Sequence, residues 1–358
     1  MSKKFKVGVV GIGRIGWGTS LREIGKYTNL FEIVAACDLI EDRRQKMADQ
    51  FGCKTYEKIE DLINDKDVEL VYLATRSCDH YAHGMMALKA GKNVVLEKPV
   101  TCTYEEAVDL FAHANKNGMP RLFVHQQRRL EEAFSKMLEI VNSGKLGNVF
   151  EINTEQNGFQ HRDDWQTISE FGGGQLLNWG PHIIDQSLQF LGTKVFDIQS
   201  YLHQVTAGGD CEDHLRIRFI GDNNRVVNMA ISGATAMKKG RFFEAYGDRG
   251  AAIYADGKLK VTYIDPSIVI PEVVSNPGTP GASFGSSGTY ESSIKLEWIE
   301  EEYDAVVENS VTRTQFWEMI YNDMVNGIPF VVTDDDVLAI MRTISTVKAQ
   351  NKYIMKVK

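Results

Sequence analysis

The chain has 358 residues, 43% of them hydrophobic and 25% charged, with a formal net charge of -8. This fits a globular protein of about two domains with a real core. The acidic balance argues against non-specific binding to nucleic acid, which needs a basic face, and no apolar run reaches the length of a membrane span.

Strand and helix alternate over the first 120 or so residues. Lys6–Val10 is a short apolar strand, and Gly16–Lys26 is a predicted helix. Phe31–Cys37 is β-rich; Asp42–Phe51 is a helix with a charged face, ended by Gly52. Glu69–Ala74 is a third strand, His80–Ala90 a helix closed by Gly91, and Asn93–Leu96 a fourth strand. Thr103–Asn117 is a helix opened by a capping box, Thr103 with Glu106, and closed by Gly118. Leu122–His125 is a fifth strand. Such alternation predicts a parallel, doubly wound sheet with helices on both faces.

The pattern changes after residue 125. A helix, Glu131–Asn142, leads through Gly144 and Gly147 into strand Val149–Gln156. The triple glycine Gly172–Gly174 precedes a helix ending at Gly192. From Val195 to about Tyr263 strands dominate, and Leu215, Ile217 and Phe219 alternate with polar neighbours, as a one-sided sheet requires. The expectation is an α+β domain with a large, mostly antiparallel open sheet, one face under helices and the other available to a partner. Pro266 to Ser293 is a predicted long loop: a lid, a subunit arm or a tolerated insertion. A last helix, about 334–351, is capped by the run beginning at Thr333. The division expected is 1–125 and 126–358, with the last helix a candidate to pack back on the first domain.

Gly11-Ile12-Gly13-Arg14-Ile15-Gly16 follows the first strand directly and opens a helix. The first glycine allows a tight turn, the second lets backbone approach a pyrophosphate, and the third lets helix pack on strand. The helix N-terminus adds free N–H groups and partial positive charge for phosphates. Asp38 closes the second strand, where an acid accepts hydrogen bonds from ribose hydroxyls and repels a 2′-phosphate. NAD rather than NADP is expected, although Arg43 and Arg44 lie close enough to serve a phosphate. Thr75, Glu97, Lys98 and Gln127 complete the candidate cofactor residues.

Glu97-Lys98-Pro99 follows the fourth strand. The carboxyl ends of such strands face the ligand crevice, so Lys98 points to where cofactor and substrate meet and can hold a substrate oxygen. A cis Lys98–Pro99 bond is allowed there. His182 and Asp185 lie three apart in a predicted helix and share a face. A histidine there can move a hydroxyl proton, and the carboxylate can orient the ring or bind a second hydroxyl. The five cysteines have irregular spacing and no CxxC pair, which predicts reduced thiols in the cytoplasm. Cys211 with His214 and His80 with His83 lack a second pair at ligand spacing, so no metal site is expected.

The ordered set of GxGxxG, Glu97-Lys98-Pro99, Gln127-Arg128-Arg129, Gly144-Lys-Leu-Gly147, the glycine run to His182 and Asp185, and Gly327-Ile-Pro-Phe-Val-Val-Thr-Asp-Asp-Asp resembles the Gfo/Idh/MocA family over essentially the whole chain. The resemblance implies NAD(P)-dependent oxidation or reduction of hydroxyl groups on sugars and cyclitols. It makes Lys98 the lysine that positions substrate and cofactor, His182 the acid/base and Asp185 the carboxylate of the same helical motif. It implies a homodimer or homotetramer through the open sheet. Asn178 stands where the family often has aspartate, which counts against an inositol dehydrogenase. Arg129 and Trp165 join Lys98, Asn178, His182 and Asp185 as candidate substrate residues, with His161, Arg162 and Asp163 in the same variable loop. Two alternatives stay open: glycoside cleavage by transient oxidation and elimination, and a non-catalytic cofactor-binding regulator.

Overall fold

The computed structural model describes residues 3–116, 118–236, 240–270, 272, 296–305 and 310–357. Its first sheet comprises β1 (Phe5–Val10), β2 (Phe31–Cys37), β3 (Lys54–Tyr56), β4 (Leu70–Leu73), β5 (Asn93–Leu96) and β6 (Leu122–Val124). All pair in parallel, in the order β3-β2-β1-β4-β5-β6. These strands read as continuous apolar runs because helices cover both faces; every residue of β4 and β6 is buried. The connecting helices are α1 (Arg14–Arg22), α2 (Glu41–Phe51), α3 (Ile59–Asn64), α4 (His80–Lys89) and α5 (Tyr104–Ala112). The strand order reverses between β1 and β4, which opens a crevice at the carboxyl ends of the strands.

Beyond β6 come α6 (Glu132–Asn142), β7 (Val149–Asn157), α7 (Gln175–Asn178), α8 (Gly180–Leu191), β8 (Val195–Gln204), β9 (His214–Gly221), β10 (Val226–Ser232), β11 (Gly240–Gly247), β12 (Gly250–Ala255), β13 (Lys258–Ile264) and β14 (Trp298–Asp304). Two helices, α9 (Ser310–Asn326) and α10 (Asp334–Gln350), and the short strand β15 (Met355–Lys356) follow. The nine strands form one sheet, β14-β13-β12-β11-β7-β10-β9-β8-β15. Pairing is antiparallel except between β7 and β10 and between β8 and β15. Leu215, Ile217 and Phe219 are buried while Arg216 and Arg218 are exposed, so the alternation read from the sequence is the alternation of the sheet. Helices α6, α8 and α10 pack on the buried face.

Several expected elements differ. The first helix starts at Arg14, and a separate 3-10 turn, Ile24–Lys26, follows it. The helix after Thr103 keeps its capping box but ends at Ala112, five residues before its expected end at Asn117, which lies outside the described residues. The helix expected to run up to Gly192 is broken into α7 and α8 beside Pro181, which sits in the first turn of α8, where its missing N–H costs nothing. Of the loop expected over Pro266–Ser293, residue 271 and residues 273–293 lie outside the described residues. β3, α3, β14 and α9 had no counterpart in the sequence reading. α9 packs on the first sheet: the Trp317 ring lies edge-on to Phe31 and Tyr72, with centroids 5.5 and 5.6 Å apart. α10 lies against α5, where Lys348 donates to the Cys102 carbonyl at 3.0 Å. A division at residue 125 therefore separates two sheets but not two cores, because buried side chains run continuously from one to the other.

Candidate active site

The glycine motif occupies the turn from β1 to α1. Gly11 has φ +85°, and a Cβ there would sit 2.5 Å from the Ala74 carbonyl oxygen. A Cβ on Gly16 would sit 1.9 Å from the Gly11 carbonyl oxygen. Both glycines are thus required by the chain itself. Gly13 differs: a Cβ there meets nothing within 4 Å, so no protein atom demands glycine at this position. Gly13 also N-caps α1 with no side chain capping the free amides. An open glycine beside an uncapped helix N-terminus fits a pyrophosphate approaching from outside.

Asp38 ends β2 and ties this turn together. Its carboxylate accepts from the Ile12 amide at 2.7 Å and the Ile40 amide at 2.9 Å, and Arg43 approaches it at 3.5 Å. Arg44 donates to the Asp38 and Leu39 carbonyls, at 2.7 and 3.1 Å. Both arginines therefore have partners within the turn. Leu39 is 82% exposed at the cleft edge, an apolar surface of the kind an adenine ring covers, and the sequence reading missed it.

The cleft has a volume of about 1090 Å³ and runs from Asp38, Leu39 and Arg43 past the glycine turn to Lys98 and Asn178. Among the expected cofactor residues it is lined by Gly11, Gly13, Arg14, Ile15, Asp38, Thr75, Glu97 and Lys98. Ile12, Gly16 and Gln127 are not in its lining. The far wall comes from the loop after β7, where Arg162, Asp164, Trp165 and Gln166 face the cleft; the last two open a short 3-10 turn capped by the Asp164 side chain. His161 and Asp163 point elsewhere, exposed outside the lining.

Lys98 follows β5 across a cis bond to Pro99. Its ammonium donates to the Asn178 carbonyl at 2.8 Å and the Asn178 Oδ1 at 3.3 Å, which ties the segment after β5 to α7 at the cleft. Burial first, and then the charges of Arg128, Arg162 and Arg14, push the Lys98 amine down to about 8, against the attraction of Glu97. His182 lies in the first turn of α8, buried, with its Nδ1 unpartnered among the described residues. Burial and the charges of Lys98 and Arg128 hold its pKa well below the usual histidine range, so the ring is neutral.

His182 and Asp185 share α8 but not an environment. Asp185 is buried and closed off by Arg129, whose Nε donates to Oδ2 at 2.8 Å and whose Nη2 also binds the carboxylate. Burial pushes the Asp185 carboxyl up and Arg129 opposes this. Neither Asp185 nor Arg129 lines the cleft, nor does His182, whereas Trp165, Asn178 and Lys98 do. Of the expected catalytic set, Lys98 lines the cleft, His182 is buried outside the lining, and Asp185 is buried in an ion pair with Arg129. Among the described residues, no group of three or more His, Cys, Asp and Glu could hold a metal ion, and no helix is long and apolar enough to cross a membrane.

Comparison with known proteins fits this geometry. Residues 5–126 match the model of an oxidoreductase family with an NAD-binding Rossmann fold, and residues 134–253 match the C-terminal domain of the same family. The oxidoreductase YhhX of Escherichia coli is 27% identical over 293 residues, covering 78% of this chain and 77% of that one. Inositol 2-dehydrogenase of Salmonella paratyphi B is 34% identical over 150 residues, covering 41% of this chain but only 44% of its own length. In fold, the chain superposes on an NAD-binding protein from Listeria innocua with a TM-score of 0.80 at 22% identity, covering 98% of this chain and 95% of that one. The chain belongs to the GFO/IDH/MocA family of NAD-binding oxidoreductases.

Proposed function

We propose that this protein is an NAD-dependent dehydrogenase that acts on a secondary hydroxyl of a sugar, cyclitol or sugar derivative. The observation that carries this is Lys98, a cation at the cleft surface where the carboxyl ends of β4 and β5 meet α7. The bound nicotinamide supplies or accepts the hydride, and the protein supplies orientation and a proton path.

The glycine turn and the N-terminus of α1 would hold the pyrophosphate of the cofactor, and Asp38 would accept from the adenosine ribose hydroxyls. Lys98 Nζ has three donors, and the two Asn178 oxygens engage no more than two of them. The remaining donor holds the substrate oxygen and favours it as negative charge develops there. His182, held neutral by burial and by the charges of Lys98 and Arg128, is the base that takes the hydroxyl proton. Asp185 and Arg129 fix α8 and thus the ring of His182. Trp165 and Arg162 close the far side of the cleft over the substrate. The inositol dehydrogenase likeness supports a polyhydroxylated ring as substrate, and Asn178, an uncharged residue, disfavours inositol itself. A homodimer or homotetramer through the outer face of the nine-stranded sheet, where Arg216, Arg218 and Glu244 lie, belongs to the same proposal.

The test is steady-state turnover of His182→Ala and Lys98→Met with NAD affinity measured in parallel. Turnover lower by about 10²-fold or more, with NAD binding changed only a few-fold, is the expected result. Unchanged turnover in either variant would remove that residue from the mechanism.

A further inference from the structure

Around Glu97, the residue before Lys98, lies a set of buried groups that, Glu97 apart, belongs to no motif. Glu97 Oε1 accepts a hydrogen bond from the Tyr72 hydroxyl at 2.8 Å and lies 2.6 Å from Nδ1 of His125, just after β6. The other ring nitrogen, Nε2, lies 3.1 Å from Oε2 of Glu23, just after α1. The indole N–H of Trp317 on α9 donates to the same Glu23 oxygen at 3.1 Å. The Phe316 ring closes the imidazole edge-on, with centroids 4.6 Å apart. His125 is 1% exposed, and Glu23 and Glu97 are 6% exposed.

Both ring nitrogens face a carboxylate. A neutral imidazole has one donor and one lone pair, so it could serve only one of the two and would turn its lone pair against the other. His125 is therefore an imidazolium between two carboxylates. A buried carboxyl without a partner takes up a proton rather than stay charged. The pairing with His125 is what lets Glu97 remain an anion, and Glu97 is the residue immediately before Lys98.

We propose that Glu23, His125 and Glu97 form a positioning triad that maintains a negative charge on the residue next to Lys98 and so keeps the Lys98 ammonium protonated among cations. The charges that act on Lys98 are those of Glu97 on its own segment, Arg128 after β6, Arg162 in the loop after β7 and Arg14 on α1, and both Asn178 oxygens accept from it. Glu97 is the one anion in that set. Burial would raise Glu97, yet His125 brings it down to about 2; burial would lower His125, yet the two glutamates lift it to about 10. The charge assignment stands on geometry alone, while its catalytic consequence rests on Lys98 holding the substrate oxygen.

The test reads Lys98 directly. Trace acylation with acetic anhydride across neutral and alkaline pH, with the Lys98 peptide quantified by mass spectrometry, gives the titration midpoint of that amine without any substrate. The wild-type midpoint is expected at about 8. Glu97→Gln and His125→Phe should each lower it by about one pH unit, and Glu23→Gln by less, because each removes or weakens the anion next to Lys98. Circular dichroism and urea unfolding establish which variants are folded; Glu97→Gln keeps the size and shape of the side chain should His125→Phe fail. A midpoint that is unchanged or raised in folded Glu97→Gln overturns the proposal. Unaltered turnover in Lys98→Met would overturn the catalytic reading while leaving this titration intact, so the two failures can be told apart.

Discussion

Two buried polar regions meet at Lys98 and differ in how completely their atoms are partnered. On the first-sheet side, Glu23, Tyr72, Glu97, His125 and Trp317 form a closed network in which each side chain has a partner. On the α7–α8 side, among the described residues, Gln126 and Gln127 keep a buried Oε1 and His182 a buried Nδ1 without a hydrogen-bond partner, with Arg128 and Arg241 both beside Glu131. Orphaned buried atoms cost stability, and where a cluster of them persists a ligand or a reaction is the usual reason. In the proposed mechanism the closed network holds the scaffold and the open side carries the chemistry.

If that contrast is right, damage to the two sides should separate cleanly. The largest effect belongs to the open side: His182→Ala should lower turnover by about 10²- to 10⁴-fold with a small change in stability, as steady-state kinetics and urea unfolding will report. Trp317→Ala on the closed side should do the reverse. It removes a fully buried side chain that joins α9 to the first sheet, and a loss of about 3–5 kcal/mol is expected in denaturant titrations.

The glycine turn sharpens the comparison within three residues. Gly16→Ala clashes with the Gly11 carbonyl and should cost about 1–3 kcal/mol of stability. Gly13→Ala meets no protein atom, so stability should hold while NAD affinity, measured by calorimetry, falls about tenfold or more. Equal losses of stability in the two variants would contradict the assignment of Gly13 to the cofactor.

The smallest expected effect is a pH profile of stability. His125 is raised to about 10 in the fold from an ordinary 6.5, so its contribution is complete below about 6.5 and is lost as pH climbs through 10. Glu97 is depressed to about 2 from 4.5, so its contribution is present above 4.5 and is lost as pH falls through 2. Unfolding free energy should therefore be highest between these limbs, and His125→Phe should flatten the alkaline limb. An alkaline limb as steep as wild type in that variant would remove His125 as its source.

Much of the first sheet was legible because its signals are local. The glycine turn, the Thr103–Glu106 capping box and the apolar runs of β4 and β5 each lie within a few consecutive residues. α9 was not read, although Phe316, Trp317, Ile320 and Tyr321 recur at helical spacing and bury one face of it. Within the site, Lys98 was legible from its place after a strand. The triad was not: His125 is 102 residues from Glu23, and Trp317 is 294 from it, and only the fold brings them together. The closure of Asp185 by Arg129 was equally hidden, since a spacing of three on a helix predicts a shared face but not which partner reaches it first.

The most direct test of the central proposal is absorbance at the reduced-nicotinamide band, with purified protein, NAD and a panel of sugars, cyclitols and aryl glycosides. Net NADH formation with a free polyol, lost in His182→Ala, is the predicted result. Release of the aryl group without net NADH would contradict it and assign the site to oxidation-linked glycoside cleavage. NAD binding with no reaction on any member of the panel would contradict the assignment to sugar-like hydroxyls.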